Sequence, residues 1–275
     1  MQIRDYSLPA GWYPRDGEAV SAFLSEFDNV KRSSRAAIMP HAGWYYSGRT
    51  AALGAASLQR DAETVVILGG HLGAENPPLF AMEDAVRTPF GSMPIDASLR
   101  SALIKEIDGA KDGYRDNTVE VLLPMAHYFF PKANLLWLRL PAEIESFESG
   151  KTLSRIAAKL NRKIAVFGST DLTHYGRNYG FSPQGSGEAA LRWVREVNDA
   201  SFIKAVESGD GEEVLRRAEE DSSSCSAGAV LGAMGFAEAE GLKKARLLTY
   251  ATSADVDKSV VPDSFVGYAA FAFDE

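Results

Sequence analysis

The residues of this chain with the greatest capacity for chemistry are four histidines and one cysteine. Three of the histidines share a context. His41 sits in Pro40-His41-Ala42-Gly43, His71 in Gly69-Gly70-His71-Leu72-Gly73, and His174 in Ser169-Thr170-Asp171-Leu172-Thr173-His174-Tyr175-Gly176. Each follows an apolar run that reads as a strand, so each imidazole belongs on a short loop at a sheet edge, where open α/β sheets bind ligands. Neutral imidazole nitrogens together with the thiolate of Cys225 suit a borderline ion such as iron, copper or zinc. Three protein ligands leave a coordination position open for chemistry.

Taken singly, each residue also has a structural explanation. His71 can cap a turn, His174 can bond backbone beside Asp171, and a lone cysteine at an Ala/Gly-rich helix start commonly packs as a small hydrophobe. Asp171 reads either as the carboxylate that fixes a histidine tautomer or as a turn cap. Trp44, Tyr45 and Tyr175, next to these loops, are candidate pocket-lining residues or ordinary aromatic packing. Glu120 reads as a surface or capping acid. His127, beside Tyr128 and two phenylalanines, reads as a packed, hydrogen-bonded boundary residue.

The elements that must position these groups alternate. Strands are expected over 35–39, 64–68, 134–140 and 163–167, with closing strands over 246–251 and 265–273. Helices are expected over 17–30, 47–58, 97–107, 146–160, 188–206 and from Ser222 to Ala237. The continuous β-branched run Thr64–Leu68 is typical of a parallel strand buried on both faces. Between Thr118 and Phe130 a helical pattern is interrupted by Pro124, which predicts a break. The 30 residues separating His41 from His71 match one βαβ unit, which predicts two adjacent parallel strands presenting one histidine each.

Composition sets the frame. The 275 residues are 45% hydrophobic and 24% charged, as in ordinary globular domains, and we read residues 1–275 as one α/β domain with a central, largely parallel sheet flanked by helices. A formal charge of -8 with scattered basic residues argues against nucleic-acid binding, which needs a clustered positive footprint. One cysteine forms no intrachain disulfide. The amino terminus lacks a signal-peptide apolar region, and no apolar run approaches the ~20 residues of a bilayer span. These features predict a cytoplasmic protein without membrane partners.

The series Ala10-Gly11-Trp12-Tyr13-Pro14, Pro40-His41-Ala42-Gly43-Trp44-Tyr45-Tyr46-Ser47-Gly48, Ser169 to Gly176 and Tyr268-Ala269-Ala270-Phe271-Ala272-Phe273 resembles the Memo family, in order and over nearly the whole chain. That family includes the AmmeMemoRadiSam system protein B group and is similar in fold to the class III extradiol dioxygenases, which use non-haem iron. The resemblance implies metal-site positions at His41, His71 and Cys225, and an acid/base position at His174. Two segments depart from the pattern. Asp116-Asn117-Thr118-Val119-Glu120 stands where a Glu-His-Ser-x-Glu segment is common, so one site histidine is absent. Gly69-Gly70-His71 stands where Gly-Pro-x-His is usual. A thiol in place of the dioxygenases' triad carboxylate gives a softer site, suited to copper or redox chemistry as well as to iron.

The implied function is a metal-binding protein with a dioxygenase-like cleft acting as an oxidoreductase on a small molecule or peptide. A non-catalytic peptide-binding module with a vestigial metal site is the alternative, and a metal-dependent hydrolase a third reading.

Overall fold

The fold was taken from a computed structural model, which describes residues 1–113, 116–242, 244–256 and 262–274. Its centre is four parallel strands in the spatial order Ala36–Met39, Ile164–Ser169, Thr64–Gly69, Asn134–Arg139. All four are almost wholly buried, which is why the sequence shows continuous apolar runs here rather than alternation. Antiparallel strands close both sides. Ser264–Asp274 pairs with Ala36–Met39, and Leu79–Phe80 pairs with Asn134–Arg139. The strand Lys244–Thr252 lies along the outside of Ser264–Asp274.

Helices cover both faces, and two neighbouring residues show how. Along Ala36–Met39, successive side chains point to opposite sides. Met39 meets Gly54 of the helix Trp44–Ala56, whereas Ile38 packs at Gly168 beside Ala233 of the helix Ala227–Ala239. The second helix is buried from Ala227 to Ala237, as a helix apolar on every side must be. It is sandwiched between the sheet and the helix Glu145–Lys159.

Two expectations change in detail. The strands ending at His41 and His71 are not neighbours, because Ile164–Ser169 lies between them. The break at Pro124 is a division into two short helices, Asn117–Glu120 and Leu123–Phe129, with the proline in the first turn of the second. A proline lacks the N–H that a first-turn residue would not use. Among the described residues, no helix is long and apolar enough to cross a membrane.

Candidate metal centre and cleft

Pro40 ends the first central strand and delivers His41 to a buried position at its carboxyl end. Three polar contacts fix it. Its backbone N–H donates to Asp171 Oδ1 at 2.8 Å, its carbonyl accepts from Asn117 Nδ2 at 3.1 Å, and its Nδ1 meets Ser169 Oγ at 2.9 Å. Nε2 is left facing His71 Nε2 at 3.3 Å and Cys225 Sγ at 3.3 Å. The intervening strand explains the convergence. Histidines on next-but-one strands are separated by roughly 10 Å of backbone, and the two rings close that gap by pointing their Nε2 atoms at each other, His41 held from behind by Ser169 at the end of the strand between them.

His71 is held in the left-handed backbone region, φ 57°, uncommon for a residue with a Cβ. Its Nδ1 bonds Asp116 Oδ2 at 3.1 Å, and the same oxygen accepts from Arg139 Nη2 at 3.1 Å. Burial pulls the His71 pKa down, but the bonds to Asp116 and Cys225 outweigh it and raise the value to about 10. Burial pushes Asp116 up, and the bonds from His71 and Thr118 with the charges of His71 and Arg139 bring it to about 2. Asp116 also caps the helix Asn117–Glu120 through Thr118 N. Asp116 therefore stays ionised and orients the ring of His71.

Cys225 precedes Ser226, the residue that begins the helix Ala227–Ala239. Burial raises its pKa, while the charge of His41 and hydrogen bonds from His41 and His71 lower it to about 6. The three donor atoms of His41, His71 and Cys225 lie within 4.8 Å of one another. Nitrogen and sulfur ligands at 2.0–2.3 Å around one tetrahedral ion stand roughly 3.3–3.6 Å apart. The observed 3.3 Å separations fit a shared ion with little rearrangement.

Above this cluster opens a cleft of about 950 Å³, lined in part by Ala42, Asn117, Asp171 and His174. The triad lies beneath this floor. Ala42 follows His41 in the chain, while Asn117 and Asp171 each bond its backbone. Asp171 is buried, and burial raises its pKa, opposed by the charge of His174 and the N–H groups of His41 and Ala42. His174 Nδ1 donates to Leu172 O at 3.1 Å, and its ring meets Tyr179 edge-on at 4.9 Å. With Nδ1 committed to that carbonyl, Nε2 is the ring nitrogen left for a ligand. Trp12, Tyr45, Tyr46, Tyr179 and Tyr268 supply aromatic walls.

Two expected lining residues are elsewhere. Tyr175 is fully buried, stacked on Phe265 at 5.0 Å, with its hydroxyl bonded to Gly185 O and Gln184 N. It holds a separate small core together. Trp44 is 6% exposed and donates from Nε1 to Val121 O. It backs a second depression beside Tyr13 and Phe23 rather than the cleft. Glu120 is also corrected, being buried and accepting from Ser7 N, Leu8 N and the Tyr13 hydroxyl. His127 packs against Phe90 and bonds Thr88, as expected.

Ser169 and Asp116, the partners of the two histidine rings, were not singled out from sequence. A serine two residues before Asp171 and a helix-capping aspartate carry no signal of their own until the fold sets them beside an imidazole.

The family model described as Memo-like protein matches residues 4–272. The chain belongs to the Memo family. A MEMO1 family protein of Pyrococcus horikoshii is 29% identical, with 98% of each chain covered. One of Methanococcoides burtonii is 32% identical over 85% of this chain and 84% of its own. A solved structure, the uncharacterized protein JW3007 from Escherichia coli K12, is 12% identical with a TM-score of 0.46, covering 87% of this chain and 99% of that one.

Proposed function

We propose that this Memo family member holds one transition-metal ion, iron or copper with zinc also accommodated, on His41, His71 and Cys225. The cleft above would receive a small molecule or peptide. The observation that carries the reading is the placing of two imidazole Nε2 atoms and one thiol within 4.8 Å, with both rings oriented through Nδ1. A redox-active ion at such a site supplies electron-transfer or oxygen chemistry.

The chain's own groups divide the remaining work. Asp171 fixes the His41 loop through the backbone. His174, with Nδ1 committed to Leu172 O, accepts a proton from a ligand at Nε2 and returns it. The aromatic walls exclude water from one side of the ligand. The single cysteine fits operation in the reducing cytoplasm.

Metal analysis of protein purified without chelator tests the reading. Close to one iron or copper per chain is expected, lost in His41→Ala. An unchanged metal content in the variant, or none in the wild type after anaerobic reconstitution, overturns it. A second reading, peptide capture without catalysis, draws support from the depression of about 490 Å³ that shares Gly11 and Tyr45 with the cleft. It predicts peptide binding that survives metal removal.

A further inference from the structure

The sulfur of Cys225 is surrounded by hydrogen-bond donors that neither imidazole supplies. Asp171 N–H reaches Sγ at 3.4 Å and Ser226 Oγ lies 3.6 Å from it, within the longer range of contacts to sulfur. Ser226 starts the helix Ala227–Ala239, the position at which a serine hydroxyl ordinarily caps a backbone N–H, yet it makes no such bond. It is buried, and a buried hydroxyl without a partner is costly. Its rotamer is confined by the His71 loop, since a Cβ at Gly70 would meet Ser226 Cβ at 2.4 Å and Oγ at 2.6 Å. Thr170 is the competing donor, with Oγ1 at 3.9 Å from Sγ. Its single hydroxyl proton is engaged by Asp171 O at 2.8 Å, and Ser224 Oγ, 2.8 Å away, can donate to Thr170.

We infer that Ser226 is a positioning residue for the proposed metal centre: its hydroxyl, with Asp171 N–H, donates to the Cys225 sulfur and limits the electron density that sulfur gives to an ion. The inference rests on the metal-binding reading above. A hydrogen bond to a ligating thiolate stabilises the sulfur lone pairs, weakens the thiolate as a donor and favours the reduced state of the metal. Removing the hydroxyl makes the thiolate a stronger donor without removing a ligand.

The full-length protein loaded with cobalt(II) reports this through its thiolate-to-metal charge-transfer band. In Ser226→Ala the band is expected to move to lower energy with stoichiometry unchanged. In Ser224→Ala, whose hydroxyl serves Thr170, it is expected to stay in place. A band that keeps its position in Ser226→Ala, while Cys225→Ser abolishes it, overturns the inference and leaves the metal site standing. A wild type without the band, or a band that survives in Cys225→Ser, overturns the metal-site reading and this inference with it.

Discussion

Asp199 is a buried acid whose ionisation the fold resists. Tyr250 donates to Oδ2 at 2.7 Å and the backbone N–H of Thr173 to Oδ1 at 3.1 Å, but full burial outweighs these bonds and raises the carboxyl from 3.8 to about 6. The folded state thus binds a proton that the unfolded chain releases. The associated stability is complete below pH ~4 and is lost as pH rises through about 6, amounting to on the order of 3 kcal/mol. Urea titrations of Asp199→Asn between pH 4 and 7 are expected to show a shallower fall than the wild type. Parallel profiles would contradict this role. The residue scale is also where sequence served the site best. A histidine after a buried run is visible in a linear string, and His41 and His71 lie just past their strands as expected, whereas His174 opens the short strand His174–Gly176, which pairs with Ser264–Asp274. Tyr175 misled because it and His174 are successive residues of one strand, whose side chains face opposite ways. His174 lines the cleft while Tyr175 enters a core around Phe265 and Val194.

At the scale of elements, close packing of the helices Glu145–Lys159 and Ala227–Ala239 depends on missing side chains. A Cβ on Gly150 would lie 2.0 Å from Gly232 O, and one on Gly235 would lie 1.9 Å from Phe147 O. Gly150→Ala gains up to ~1 kcal/mol of helix propensity, but must push two buried helices apart, at a cost of typically 1–3 kcal/mol and more where backbone is struck. A fall in Tm of several degrees is expected by calorimetry, whereas an unchanged or raised Tm would show that the pair can separate freely. Periodicity located Glu145–Lys159 to within a residue, but it started the second helix at Ser222 where the structure begins it at Ala227. It carried no information about sheet order, because the run Ile164–Ser169 looks the same whether it forms an edge or separates two other strands. That is why His41 and His71 were placed on neighbours.

At the scale of the whole molecule, the amino-terminal segment is tied across the domain to form part of the cleft. Arg4 pairs with Glu83 at 3.1 Å, Glu120 gathers Ser7, Leu8 and Tyr13, and Trp44 N donates to Trp12 O at 2.7 Å. Ala10, Gly11 and Trp12 then line the cleft. Glu120→Ala removes the shared acceptor and leaves buried donors unpaired, a loss of about 3 kcal/mol. Faster amide exchange over residues 5–14 is expected by mass spectrometry. Protection equal to the wild type would refute the strap. The fold class was legible because α/β alternation is written in period and composition. The strap was not, since its anchor lies more than 100 residues away.

His41, His71 and Cys225 also have an order in time. The two imidazoles are made early and end strands of the central sheet, whereas the thiol that meets His41 is 184 positions later. The strand Ile164–Ser169, which lies between the two histidine strands, is made more than 90 residues after His71. The sulfur arrives later still. A nascent chain that has not reached Cys225 therefore offers imidazoles alone, and the mixed nitrogen and sulfur donor set comes into being only once the cysteine, 184 positions after His41, has been made.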